Sequence, residues 1–180
     1  MGAALDEETK EPPLPSLDTT LTCSCGACEV AVTGQVCDIS FCHCNICRTH
    51  SKQLFSTTVG VLGADAVTVT KGHDLVVSYA TSGSVERHHC STCGSKLFDK
   101  GVGFNVQFAP LAGILGKGAT GIPEDLAPRH HVFYADRVVD VADDLPKYAR
   151  LSADYSKIPH ESLPALSPEE LEATKRCIRI

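Results

Sequence analysis

The sequence contains no uninterrupted apolar run of about 20 residues, the length that a membrane-spanning helix needs. Its first fifteen residues are acidic and contain several prolines, whereas a signal peptide is charged and then apolar. We therefore expect a protein without a membrane partner that lies in the cytoplasm with its cysteines reduced.

Runs of basic residues are also missing. The chain has 16 Lys and Arg against 22 Asp and Glu, a net charge of −6, and its basic residues are scattered. Binding to nucleic acid needs a concentrated basic face that neutralises phosphates. The sequence therefore predicts no nucleic-acid partner, although a local basic pocket for a small acidic ligand is compatible with these totals.

Cysteine is abundant: there are ten in 180 residues, and eight of them fall into three clusters. The clusters are Cys23-x-Cys25-x-x-Cys28, Cys42-x-Cys44-x-x-Cys47 and Cys90-x-x-Cys93. Such short spacings let two or three thiolates reach one ion at about 2.3 Å, and several soft thiolates favour zinc or an iron–sulfur cluster. A disulfide framework is the alternative, but it is typical of shorter secreted chains. The pattern predicts zinc.

The number of zinc ligands separates two functions. Eight thiols are enough for two closed four-cysteine sites, and the protein would then be a zinc-stabilised interaction module without chemistry. A catalytic zinc has three protein ligands and keeps a position for water or substrate. Cys28 decides between these two functions: as a ligand it could close a site, whereas as a small buried thiol, which is common for free cysteine, it would leave one zinc open. Cys37 and Cys177 have no partner at metal-binding spacing.

Along the chain, composition predicts one all-β domain. Residues 1–18 read as a flexible arm, residues 19–150 as a zinc-binding β domain, and residues 151–180 as a tail with a short helix. Short segments rich in Val, Thr, Phe and Tyr predict strands: 29–33, 54–61, 67–70, 75–80, 104–108 and 131–134. The glycine-rich stretch 110–128 reads as a loop. A capping box at Ser167-Pro168-Glu169-Glu170 predicts a helix to about Cys177.

The cysteine clusters and their neighbours resemble a known family, the glutathione-dependent formaldehyde-activating enzymes, which also includes the vertebrate centromere protein V. The resemblance covers about residues 21–145. It rests on Leu21-Thr22-Cys23-Ser24-Cys25-Gly26-Ala27, Cys42-His43-Cys44-x-x-Cys47-Arg48 and Cys90-x-x-Cys93-Gly94-Ser95. The family implies coiled antiparallel β-sheets with two zinc ions per chain.

The resemblance also implies roles for individual residues. A structural zinc would be held by Cys23, Cys25, Cys90 and Cys93. Cys42, Cys44 and Cys47 would hold a second, catalytic zinc whose fourth position is open. The implied reaction is a carbon–sulfur lyase reaction, the reversible addition of the cosubstrate glutathione to formaldehyde or another small electrophile.

Glutathione carries two carboxylates, so its site needs cationic donors. Arg48 is our first candidate because arginine binds carboxylates through a bidentate fork. Lys52, Arg87 and Lys96 are weaker candidates. His43 could carry a proton, but its place between two cysteines is more typical of a residue that supports the ligands. The pairs His88-His89 and His130-His131 lack metal spacing, and strand alternation would point their members to opposite faces.

Overall fold

The structure is a computed structural model that describes residues 13–103, 105–151 and 167–173. It confirms the all-β class. Within the described residues the strands are β1 (Ser16–Thr22), β2 (Glu29–Cys42), β3 (Ser56–Leu62), β4 (Val67–Lys71), β5 (Val76–Ser82), β6 (Val85–Cys90), β7 (Lys96–Gly101), β8 (Val106–Pro110) and β9 (His130–Val132). The helices are α1 (Asn45–Ser51), α2 (Leu111–Leu115) and α3 (Pro168–Ala173), and 3₁₀ turns cover His73–Leu75, Glu124–Leu126 and Tyr134–Asp136.

One antiparallel path joins most strands, in the order β1-β2-β3-β8-β7-β6-β5. Strands β4 and β9 lie off this path, and each pairs with β2, β9 in parallel. The first half of β2 pairs with β1 and β4, and its second half pairs with β3 and β9. A register shift between Val36 and Asp38 separates the two halves and places Cys37 on the exposed side.

The core is aliphatic and lies on one face of the sheet. Val30 and Val32 alternate with less buried residues in the first half of β2, as expected for a strand with one covered face. Val59 and Val61 from β3 and Leu97 from β7 join the same cluster. Each such side chain contributes about 1.5–3 kcal/mol by leaving water. Three cysteines, Cys23, Cys28 and Cys90, are also part of this core.

The structure corrects several predicted boundaries. Residues 16–18, which we assigned to the flexible arm, belong to β1 and pair with β2, whereas residues 1–12 lie outside the described part. The predicted loop 110–128 contains α2 and a 3₁₀ turn. The last strand is His130–Val132, and the chain then enters a 3₁₀ turn through Phe133, whose φ is 53°. The division into arm, domain and tail otherwise stays a prediction.

The predicted capping box at the C-terminal helix is present. The Glu170 backbone N–H donates to the Ser167 hydroxyl at 3.2 Å, and the Ser167 N–H donates to the Glu170 carboxylate at 2.8 Å. This reciprocal pair satisfies two N–H groups at the start of α3. The predicted helix end near Cys177 lies outside the described residues. No helix in the described part is long and apolar enough to span a membrane.

Candidate functional site

The first cysteine cluster is built by two tight turns. Cys23 and Cys25 lie in the turn between β1 and β2, where the Gly26 N–H donates to the Cys23 carbonyl at 3.0 Å. Cys90 is the last residue of β6 and Cys93 lies in the turn that follows, where the Gly94 N–H donates to the Cys90 carbonyl at 2.8 Å. Both glycines have positive φ, 76° and 70°, which an L side chain rarely adopts.

The four sulfurs of this cluster all lie within 4.8 Å of one another. The Sγ atoms of Cys23 and Cys25 are 3.5 Å apart, and those of Cys25 and Cys90 are 3.8 Å apart. A tetrahedron with metal–sulfur bonds of about 2.3 Å has sulfurs about 3.8 Å apart, so the donor set fits zinc. Hydrogen bonding to Ser95 lowers the pKa of Cys93 to about 5, which favours the thiolate that a metal needs.

Cys28 lies beside the first cluster but outside its group of four. Its side chain is fully buried, its backbone N–H donates to the Cys23 sulfur at 3.2 Å, and its Sγ lies 3.8 Å from the Gly72 carbonyl. Burial, together with hydrogen bonding and charge from Cys90 and Cys23, raises the pKa of Cys28 to about 12. A small, buried, neutral thiol outside the ligand set fits these contacts, which favours the second of the two alternatives for Cys28.

The second cluster lies where β2 ends and α1 begins. Cys42 is the last residue of β2, Cys44 is the N-cap of α1, and Cys47 lies in the first turn of the helix. The Cys47 N–H donates to the Cys44 sulfur at 3.3 Å. The three sulfurs lie within 4.8 Å of one another, and no fourth Cys, His, Asp or Glu among the described residues joins the group.

The pKa values of these three thiols indicate that the cluster needs a cation to hold more than one thiolate. Hydrogen bonds from Cys42 and Cys47 lower the pKa of Cys44 to about 2, whereas hydrogen bonding to the other two cysteines raises the pKa of Cys42 well above its usual range. The cluster therefore holds one thiolate easily and further thiolates only with a cation. A soft divalent metal supplies that charge, so the donor set fits zinc.

The second cluster lines a cavity of about 480 Å³. This size is typical of pockets for small ligands, about 300–1,000 Å³. The wall is chiefly apolar, and its other side chains include Ile46, Val85, Phe108, Val132, Phe133 and Leu151. A second cavity, of about 810 Å³, lies on the side of the first cluster and is lined by Cys23, Lys52, Lys96, Lys117 and residues of α2.

Three buried charges meet beside the second cluster. Asp99 on β7 accepts from Arg87 at 3.1 Å and from Lys96 at 2.7 Å, and all three side chains are at most 7% exposed. Two cations and one carboxylate leave one net positive charge. Arg87 and Lys96 act on the nearby sulfurs, because their charges favour the thiolates of Cys44 and Cys47 respectively.

His43 begins a buried chain of hydrogen bonds that leads away from the second cluster. Its Nε2 lies 2.8 Å from Nδ1 of His131, and His131 Nε2 lies 2.9 Å from Asp143. Lys147 donates to the same carboxylate at 2.5 Å. Burial lowers the pKa of His43 to about 4, so this imidazole is neutral near pH 7. Because His43 does not line the cavity, its contacts favour positioning of the cysteine loop over proton transfer.

The predicted cationic residues occupy different places. Arg48 donates from Nε to the His43 carbonyl at 3.0 Å, and it lines neither cavity. Arg87 lines the smaller cavity, and Lys52 and Lys96 line the larger one. The members of each histidine pair have different neighbours. His88 stacks on Phe98, whereas His89 contacts His50 and Tyr79. His130 lies 3.1 Å from Asp38, whereas His131 contacts His43.

Sequence reasoning missed the residues that support the second cluster. Asp99 reaches it only because β6 and β7 pair, and Asp143 follows His131 by twelve residues without any recognisable spacing. Cys177 lies outside the described residues.

Comparisons with known proteins place this chain near one family. The model of the glutathione-dependent formaldehyde-activating enzyme family matches residues 18–136, more than half of the chain. Relatives provisionally named glutathione-dependent formaldehyde-activating enzymes include one from Sordaria macrospora, 29% identical over 55% of this chain and 44% of its own length. Another, from Pyrenophora teres f. teres, is 37% identical over 44% of this chain and 43% of its own. The chain thus spans less than half of these relatives.

Among solved structures, a Rhodobacter sphaeroides protein is similar with a TM-score of 0.46 and 21% identity, over 60% of this chain and 94% of that one. The family match runs from Asp18 within β1 to the end of the 3₁₀ turn after β9, and it contains both cysteine clusters in full. The chain belongs to the glutathione-dependent formaldehyde-activating enzyme family.

Proposed function

We propose that the protein is a zinc-dependent carbon–sulfur lyase that adds glutathione reversibly to formaldehyde or another electrophile. The observation that carries this proposal is the second cluster. Its three cysteines line a cavity, and the described residues supply no fourth ligand. That arrangement is typical of a catalytic zinc, which keeps one position for a reactant.

The reaction forms one bond and moves one proton. The glutathione sulfur attacks the carbonyl carbon, a C–S bond forms, and the proton lost by the thiol ends on the former carbonyl oxygen; the reverse reaction cleaves the same bond. Zinc held by Cys42, Cys44 and Cys47 would lower the pKa of a thiol in the cavity, since deprotonated sulfur is the nucleophile.

The buried ion cluster supports this chemistry electrostatically. Three thiolates and one divalent cation carry a net charge of −1, whereas Arg87, Lys96 and Asp99 together carry +1. The two groups lie side by side, and they balance in a buried place where unpaired charge is expensive. We propose that Asp99 holds Arg87 and Lys96 in place. Their net positive charge would then reduce the repulsion between the zinc-bound thiolates and an incoming thiolate.

The carboxylates of glutathione need donors outside this wall. We propose Arg48 for one of them. Within its guanidinium group, Nε donates to the His43 carbonyl, and the two Nη groups have no hydrogen-bond partner among the described residues. Lys52 is exposed at the end of α1 and lines the larger cavity, so it is the next candidate. None of the four cysteines of the first cluster lines the smaller cavity, and we propose that they hold a structural zinc.

The alternative, a non-catalytic interaction module with two closed four-cysteine sites, needs a fourth ligand at the second cluster. Cys28 cannot serve there, because its sulfur lies beside Cys23 and Gly72. The described residues therefore do not support this alternative.

The test measures exchange between glutathione and formaldehyde by NMR exchange spectroscopy, with zinc content measured on the same samples. We expect zinc-loaded protein to accelerate exchange above the uncatalysed rate. Cys44→Ala should stay folded, lose one of two zinc ions and lose at least about 100-fold of the acceleration, a drop of about 3 kcal/mol in transition-state stabilisation.

Cys37→Ala is the matched control, since Cys37 is exposed and belongs to neither cluster. It should keep both ions and full acceleration. Absence of acceleration by zinc-loaded protein, or equal rates with Cys44→Ala, would contradict the proposal.

A further inference from the structure

The smaller cavity is much larger than formaldehyde. Formaldehyde has two non-hydrogen atoms and fills about as much space as one or two water molecules, roughly 30–60 Å³. The cavity beside Cys42, Cys44 and Cys47 has about 480 Å³. Most of that volume lies against side chains that formaldehyde would not reach.

The wall of this cavity is too apolar to bind the charged peptide part of glutathione. Its apolar side chains come from four places: Ile46 on α1, Val85 on β6, Phe108 on β8, and Val132 with Phe133 at the end of β9. A peptide with two carboxylates and an ammonium would lose its water there without gaining partners, which is unfavourable.

Several polar side chains of the wall already have partners. Arg87 and Asp99 form an ion pair at 3.1 Å. Ser40 donates from its hydroxyl to Asp38 at 2.8 Å. The wall therefore offers little to a charged ligand and a large surface to an apolar one.

We propose that this cavity binds an apolar carbon group attached to the glutathione sulfur. The electrophile would be an aldehyde with a bulky alkyl or aryl substituent, and the product would be its glutathione hemithioacetal. The C–S bond joins the thiol to the aldehyde carbon, and the thiol proton ends on the aldehyde oxygen. This inference rests on the proposed function, because it names the substrate class of the same site.

Binding of stable thioethers tests the cavity without turnover. Calorimetry would compare S-hexylglutathione with S-methylglutathione on zinc-loaded protein. Each buried methylene strengthens binding about fourfold, so we expect S-hexylglutathione to bind at least tenfold more tightly. Equal affinities, or tighter binding of the S-methyl compound, would overturn the inference.

Two substitutions localise the effect. Val85→Phe would fill part of the cavity from β6 and should reduce the preference for the hexyl group at least fivefold, and Ile46→Phe should do the same from α1. Val77→Phe is the matched control, because Val77 lies on the neighbouring strand β5, is 46% exposed and does not line the cavity. A preference that survives both cavity substitutions would place the hexyl group elsewhere and overturn the inference.

Turnover separates this inference from the proposed function. Glutathione exchange with hexanal and with formaldehyde would be measured on the same protein, each relative to its uncatalysed rate. We expect the larger acceleration for hexanal. Acceleration for formaldehyde alone, with no hexyl preference in binding, would refute the apolar substrate and leave the lyase intact. Tight hexyl binding without turnover of either aldehyde would refute the lyase and leave the apolar site.

Discussion

Asp99 joins two buried cations that reach it from different positions in the sheet. Removing its charge takes away the carboxylate that pairs with both Arg87 and Lys96, which stay buried. We expect Asp99→Asn to lower the free energy of unfolding by about 3–5 kcal/mol, because breaking a buried ion pair leaves uncompensated charge. Urea denaturation of zinc-loaded protein measures this loss.

Glu29→Gln is the matched control at the residue scale. Glu29 pairs with Lys71 at 3.4 Å, but the two side chains are 35% and 54% exposed. Its loss should lower stability by less than about 1 kcal/mol, since water screens such pairs. Similar losses for both variants would show that the ion cluster around Asp99 is hydrated.

Single residues also show how far sequence reasoning reaches into the site. The cysteines could be grouped from spacing, because a short turn dictates which sulfurs meet. Asp99 and Asp143 could not be found this way, because each reaches its partners through tertiary contacts that leave no periodic mark on the sequence. The burial of Cys28 was predictable from its type, whereas its position beside Gly72 was not.

Among the elements, the turn at Gly72, which follows β4, packs closely against Ala27 and Cys28 beside the first cluster. Its φ is 71°, and a Cβ at this position would lie 2.4 Å from the Ala27 carbonyl oxygen. We expect Gly72→Ala to destabilise the protein by at least about 1–3 kcal/mol from backbone strain, with the contact to Ala27 adding to this loss. Thermal unfolding followed by circular dichroism measures it.

Gly83 provides the comparison for that substitution. It lies in the turn between β5 and β6, and a Cβ there would meet no atom within 4 Å. Gly83→Ala should change stability by less than about 0.5 kcal/mol, as is usual at unconstrained surface positions. Equal effects of the two alanines would contradict the close approach at Gly72.

The elements differ in how well the sequence predicted them. The Val-rich strands β2, β3, β4 and β5 were recognised from composition. Strands β6 and β7 were not, because their charged and His residues are buried only through pairing with each other and with neighbouring strands. Helices α1 and α2 have seven and five residues, too few to show a helical period.

On the scale of the whole molecule, the first cluster brings distant parts of the sheet together. The turn after β1 and the turn after β6 lie far apart in the strand order, yet their cysteines meet. The path of strands must therefore coil back on itself. A zinc at this point would hold the sheet closed, and its binding energy would be part of the folding energy.

We therefore expect the two clusters to respond differently to substitution. Cys90→Ala should lower the free energy of unfolding by about 4 kcal/mol or more, or abolish cooperative unfolding, because a structural zinc is lost. Cys44→Ala should keep a native circular dichroism spectrum. The free energy of unfolding and the circular dichroism spectrum of each variant, measured during titration with a chelator, test this difference. Equal unfolding of the two variants would mean that the second site is also structural.

The sequence separation within the two clusters has a consequence for synthesis on the ribosome. Cys25 and Cys90 are 65 residues apart, whereas the second cluster spans only residues 42–47. At about 5–20 residues per second, Cys90 emerges roughly 3–13 s after Cys25, but the second cluster is complete within about one second. The second cluster thus has all its ligands first. An ion bound early by Cys23 and Cys25 would have only two of its four ligands until the turn after β6 is made.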